Sequence, residues 1–224
     1  MSFLNPPAAT PKLGVNLATV MTLRDLRPSS RGLDLARFAQ AAEEAGADVI
    51  RLTVDSSSMT LRHADIDAVM CAVTEVHFSM PLTREMIDFA GIVRPQSVCF
   101  HALNNTHNPH NTPSPDGAVI PDSSLSLIHD ALAQLCSLSM QIVVSLDPVT
   151  SQLQSLADVG ITAVEFDAIA IARADPADQH ARFSELRAAI LTAQRSGMAV
   201  HLAHGVDYEL VGQLAASGDR KSVV

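Results

Sequence analysis

The sequence predicts an α/β fold of parallel strands, laid out as a (β/α)8 TIM-type barrel with the eighth βα unit missing. Seven short, β-rich segments alternate with amphipathic helical segments from Leu13 onward. The strand segments are nearly all apolar, the pattern of a parallel sheet whose outer face is covered by helices. The chain has 224 residues, 47% hydrophobic and 17% charged, enough to bury one substantial core. A doubly wound sheet shares this pattern, but seven units in a row favour the barrel.

The first strand is expected over 13–20, where Gly14-Val15-Asn16-Leu17-Ala18-Thr19-Val20 runs into a polar loop carrying Arg24. Its helix is expected over 33–45 and stops at Ala45-Gly46, as a glycine C-cap would stop it. The remaining strands fall at 48–54, 76–80, 97–101, 141–146, 162–166 and 199–203. The helices between and after them fall at 62–73, 83–91, 122–138, 149–159, 178–196 and 207–216. One connection, 102–121, is long, irregular and rich in Asn, His and Pro, which at that length suggests an active-site loop or lid. Residues 1–12, with three prolines, read as a flexible tail, and 13–218 as a single incomplete barrel domain.

A net charge of −9 gives no attraction to nucleic acid or to an anionic membrane surface, so small molecules are the expected partners. Cys71, Cys99 and Cys136 are widely spaced and odd in number, which fits neither a disulfide framework nor a Cys-x-x-Cys metal site. A reducing cytoplasm is the expected location. There is no basic, apolar leader at the N-terminus and no apolar run of membrane-spanning length.

In a barrel, chemistry gathers at the C-terminal ends of the strands. Asn16 and Arg24 follow the first strand, Glu165 lies at the end of the sixth, and His204-Gly205 follow the seventh. A guanidinium fork and an amide suit oxyanions, an imidazole moves protons near neutral pH, and a glycine lets backbone approach a ligand. Glu165 and Asp167 are two apart on one strand and share a face. With His101, His201 and His204 they are also a possible set of metal ligands, because imidazole and carboxylate together suit Zn or Mn; the reading adopted carries no metal. His107 and His110 read as solvated, and the methionines as core filler.

These residues stand in motifs whose order and spacing resemble those of the pyridoxine 5'-phosphate synthases. The motifs are Gly-Val-Asn followed by Thr-Leu-Arg at 14–24, Ala-Glu-Glu-Ala-Gly-Ala-Asp at 42–48, Met-Pro-Leu-Thr-Arg-Glu-Met at 80–86, Glu165, and Ala203-His204-Gly205 with Tyr208. The resemblance implies a cytoplasmic, oligomeric barrel enzyme of vitamin B6 synthesis that needs no organic cofactor. It implies condensation of 1-deoxy-D-xylulose 5-phosphate with 3-amino-2-oxopropyl phosphate, closing the pyridine ring and releasing phosphate and water. On this resemblance Asn16 and Arg24 hold the amino-ketone phosphate, His204 donates a proton with Gly205 beside it, and Glu165 stabilises the transition state.

The chain departs from the family pattern on the side that serves the sugar phosphate. Ala18-Thr19 replace an Asp-His pair. Thr53, Asp55 and Thr60 replace a catalytic His, an Arg and a phosphate-binding His, and Ser79 replaces the glutamate that acts as general base. Two alternatives follow: a diverged enzyme acting on another phosphorylated ketone, with metal assistance through Glu165, Asp167 and His201, and an inactive homologue that binds a phosphorylated ligand. The last residues, 219–224, resemble a translated sequencing adapter and read as a non-native tail. The edges of strands one and seven are then expected to be open and prone to aggregation.

Overall fold

The computed structural model describes residues 11–26, 33–55, 63–101 and 122–216. The expected loop 102–121, Thr60 and the tail 219–224 lie outside them. Seven parallel strands run in the order β1-β2-β3-β4-β5-β6-β7 among the described residues. None of the described helices is long and apolar enough to cross a membrane. The described residues fall into two compact units, one between 13 and 101 together with 122–144, the other 145–216 together with 11–12.

In the first unit, β1 (Gly14–Asn16) leads into α1 (Ala18–Leu26) and α2 (Leu35–Glu44). Then come β2 (Val49–Thr53), α3 (His63–Ala72), β3 (Val76–Pro81), α4 (Arg84–Val93), β4 (Ser97–His101) and α5 (Asp122–Leu135). The next strand, β5 (Gln141–Leu146), begins here and ends in the second unit. Asp34 starts α2 by accepting from the amides of Ala36 and Arg37. Gly46 stops it with φ +106°, while Gly46 and Ala47 donate back to the carbonyls of Glu43 and Ala42. That is the 5→2 and 6→1 closure of a Schellman turn, so the glycine stop expected from the sequence is present.

The expected first strand of 13–20 is corrected. Pairing ends at Asn16, whose Oδ1 accepts from the Ala18 amide at 2.9 Å and turns the chain into α1. Leu17 and Met21, four apart, are buried while Leu23 is half exposed, a helical division of an apolar run that reads as strand when only its composition is counted. Arg24 therefore sits in the last turn of a helix and not in a loop.

Phe78 stacks on Phe89 of α4 with ring centroids 6.3 Å apart, which identifies the helix-facing side of β3. Leu52 and Val98 are in register with Phe78 and share that side. Alternation puts the polar residues on the opposite face in two rows: Asn16, Arg51, His77 and Ser97, then Thr53, Ser79 and Cys99.

The second unit holds α6 (Leu153–Val159), β6 (Ala163–Asp167), α7 (Ile169–Ala172), α8 (Pro176–Arg195), β7 (Ala199–Ala203) and α9 (Tyr208–Ala216). Val164 and Phe166 pair in register with the buried Val200 and Leu202. Glu165 and Asp167 pair with His201 and Ala203 on the other face. The four-residue α7 has no counterpart in the sequence-based reading, since Ile-Ala-Ile-Ala is too short for a helical period to register.

Candidate active site

In the first unit the residues singled out from sequence lie at the C-terminal ends of β1, β2 and β3 and just beyond them. Asn16 spends its Oδ1 on the turn into α1, leaving its amide nitrogen as a donor for an oxyanion. Arg24 places Nη2 3.0 Å from Oδ2 of Asp65, a pair only partly exposed to solvent. Ala18 and Thr19 form the first turn of α1. Thr53 and Ser79 are direct register partners, and the Val54 amide donates to the Ser79 carbonyl at 2.8 Å, which holds the two strand ends together. Asp55 follows Thr53 and is exposed.

Two further residues of this unit were not singled out from sequence. Asp65 is the partner of Arg24. Arg51 is buried at 8% exposure in the polar row between Asn16 and His77. The signal for Arg51 was present, because a charge inside the apolar run Val49-Ile50-Arg51-Leu52 must find polar company when buried.

In the second unit Glu165 is 1% exposed and stands opposite His201, itself 8% exposed. Asp167 ends the strand: its Oδ1 accepts from the Ile169 amide at 2.8 Å, and its Oδ2 lies 3.1 Å from Nδ1 of His204. The Ala168 amide donates to the Ala203 carbonyl at 2.9 Å, continuing the tie between β6 and β7 to the edge of the loop. His204 and Gly205 both have positive φ, +54° and +68°. A Cβ on Gly205 would stand 2.8 Å from Cβ of Ala172 and 3.0 Å from Cα of Ile169, so the close approach that demands glycine here includes the chain's own α7.

A cleft of about 260 Å³ opens among α7, α8 and α9, lined by residues including His180, Phe183, Gly205, Asp207 and Leu210. Glu165, Asp167 and His204 do not line it, so it is not the seat of the chemistry these groups can perform. The metal-ligand alternative is corrected as well. Among the described residues no three or more His, Cys, Asp or Glu side chains gather as a metal ion requires, and Asp167 is committed to the Ile169 amide and to His204.

The chain matches the family model described as pyridoxal phosphate biosynthesis protein PdxJ over residues 13–221. Among solved structures it is similar to phosphoribosyl anthranilate isomerase from Thermus thermophilus, with 14% identity, a TM-score of 0.53, and coverage of 84% of this chain and 82% of that one. It is also similar to an HpcH/HpaI aldolase from Desulfitobacterium hafniense, with 11% identity, a TM-score of 0.56, and coverage of 96% and 85%. The BexX/CysO complex of Amycolatopsis orientalis gives 18% identity, a TM-score of 0.52, and coverage of 99% and 83%. At such identities the likeness shows the fold alone, that of the (β/α)8 barrels, with seven strands described here.

Proposed function

The chain belongs to the PdxJ family of pyridoxal phosphate biosynthesis proteins, and from that premise we propose that it closes the pyridine ring of pyridoxine 5'-phosphate from 1-deoxy-D-xylulose 5-phosphate and 3-amino-2-oxopropyl phosphate. The observation that carries this reading is the β6–β7 pair, where Glu165 and the His204 turn stand at the C-terminal ends of adjacent parallel strands. Asn16 and Arg24 bind the phosphate of the amino ketone, one through an amide donor and the other through its guanidinium. His204 supplies a proton to the departing oxygen. Glu165, almost fully buried, stabilises the transition state by balancing the positive charge that the amine nitrogen gains as it attacks the carbonyl carbon.

Thr53 and Ser79, side by side in register, support a second reading. Neither hydroxyl can serve as a general base near neutral pH. A protein so altered binds the amino-ketone phosphate but turns it over slowly or on another partner. Steady-state assay with both substrates and calorimetric titration with 3-amino-2-oxopropyl phosphate separate the two. Pyridoxine 5'-phosphate formed by wild type and lost in His204→Ala supports the synthase; binding with no product supports the second reading, and neither binding nor product defeats both.

A further inference from the structure

We propose that Thr53 and Ser79 are catalytic residues whose two hydroxyls donate to a single carbonyl oxygen, that of the phosphorylated ketone attacked during ring closure. The proposal rests on the reading of the protein as the ring-closing synthase and names the groups that activate its ketone.

The two residues are direct register partners on β2 and β3 and stand on the face opposite Leu52 and Phe78. Adjacent strands hold their backbones about 4.8 Å apart. Two hydroxyls that share one acceptor, each at about 2.8 Å, stand no more than about 5.6 Å apart. The spacing of the sheet therefore suits a two-donor clamp on one oxygen. The Val54 amide, donating to the Ser79 carbonyl at 2.8 Å, carries the ladder past Thr53 and keeps the two residues at this spacing.

Both hydroxyls have donors to give. Among the described residues neither side chain has a hydrogen-bond partner, although Ser79 is only 4% exposed. A buried hydroxyl left unsatisfied costs about 1–3 kcal/mol, a cost that an oxygen brought in by a ligand removes. The row these residues form is open at one end. Cys99, next to Ser79 in register, is 5% exposed, whereas Thr53 is only half-buried. β1 pairs with β2 only as far as Asn16 and Arg51, and the chain then turns into α1, so β1 gives Thr53 no strand partner. The open end lies at the C-terminal ends of the strands, where barrel chemistry gathers.

A hydroxyl that is a poor base is still a competent donor. As the amine nitrogen attacks the ketone carbon, the C–N bond forms and the carbonyl π pair moves onto the oxygen. The two O–H groups meet that growing charge with stronger hydrogen bonds and keep their own protons. One proton then passes from the nitrogen to the oxygen, giving the neutral carbinolamine. Donors aimed where charge develops act on the transition state more than on the ground state, so their loss is felt in kcat. Such a clamp moves no protons, so an ionisable acid–base pair at the same two positions would still be the faster device.

The test is isotope-edited infrared spectroscopy of the full-length protein with 1-deoxy-D-xylulose 5-phosphate carrying ¹³C at its ketone carbon. Bound to wild type, the carbonyl stretch should lie below its frequency in water. Ser79→Ala and Thr53→Val should each return it part of the way, while Thr53→Ser, which keeps the hydroxyl, should hold the wild-type value. Valine keeps the shape of threonine, so a merely structural role would leave the stretch unmoved. In steady-state assay Ser79→Ala and Thr53→Val should each lower kcat about 100-fold, with KM for the ketone within about threefold of wild type. Ser79→Ala should leave the denaturation midpoint unchanged or raised, because the hydroxyl it removes has no protein partner. Failure of the ketone to bind wild type, or a stretch in wild type no lower than in water, overturns the proposal. So does a lowered stretch that survives both deletions, or a marked loss of stability in Ser79→Ala. Because the spectrum needs no turnover, a lowered stretch that depends on both hydroxyls in a protein forming no pyridoxine 5'-phosphate would sink the synthase reading and leave the ketone clamp standing.

Discussion

Arg24 in the last turn of α1 is joined to Asp65 in the first turn of α3, Nη2 to Oδ2 at 3.0 Å, so each charge sits at the helix end whose dipole favours it. A partly exposed pair of this kind contributes little to stability, under about 1 kcal/mol. On the proposed function its value lies in holding a flexible guanidinium in one place before an oxyanion arrives. Asp65→Ala should leave the denaturation midpoint nearly unchanged while weakening 3-amino-2-oxopropyl phosphate several-fold in calorimetry. Arg24→Ala should cost more, about 10- to 100-fold, the worth of a charged hydrogen bond. Unaltered affinity in Asp65→Ala would remove the positioning role.

Gly205 and Gly46 both have positive φ but differ in surroundings. A Cβ at Gly205 meets Ala172 at 2.8 Å, whereas one at Gly46 has nothing within 4 Å. Gly205→Ala should therefore add overpacking to backbone strain and destabilise by about 2–4 kcal/mol. Gly46→Ala should cost only the backbone part, about 1 kcal/mol. Urea denaturation of the two variants measures the difference, and equal losses would show that α7 yields to the added methyl.

Phe166 is fully buried on the face of β6 opposite Glu165 and Asp167, so its packing fixes which way those carboxylates point. Phe166→Ala should destabilise the protein by about 3–5 kcal/mol through the lost contacts and the cavity left behind. Thermal unfolding checks it; a loss under 1 kcal/mol would mean that β6 repacks without that anchor.

How far the chain could be read in advance depended on which physical signal each segment carried. Strands such as Ser97–His101 and Ala199–Ala203 matched their expected bounds because apolar composition, length and flanking turn residues agreed. The first strand did not, since Leu17, Val20 and Met21 satisfy both a strand and a helix, and the chain turns where the Ala18 amide donates to the Asn16 side chain. Glu165 and His204 were singled out through motif and strand position. The Asp167–His204 approach could not be, because it depends on a left-handed backbone at His204 that residue type does not announce. Asp65 was invisible for a related reason: it is 41 residues from Arg24, and nothing local links the two.

Thr53 and Ser79 offer the most direct test of how far the chain has moved from its family. As register partners on adjacent parallel strands, their side chains leave the backbone about 5 Å apart, close enough for a histidine and a glutamate to hydrogen-bond. Ser79 is buried, so Ser79→Glu alone places a carboxylate where it has lost water, and should destabilise the protein by a few kcal/mol. Adding Thr53→His supplies a donor for that carboxylate and should recover part of the loss, a coupling of about 0.5–3 kcal/mol in a double-mutant cycle. On the family resemblance, the same pair would restore a general base and a proton carrier. Ring closure by the double variant should then exceed that of wild type by about 100-fold or more, with neither single variant approaching it. Stability coupling without a gain in rate would mean that the two side chains meet but that the sugar-phosphate side of the site has been lost elsewhere. Coupling together with the gain would mean that these two positions account for most of the chain's departure from the family chemistry.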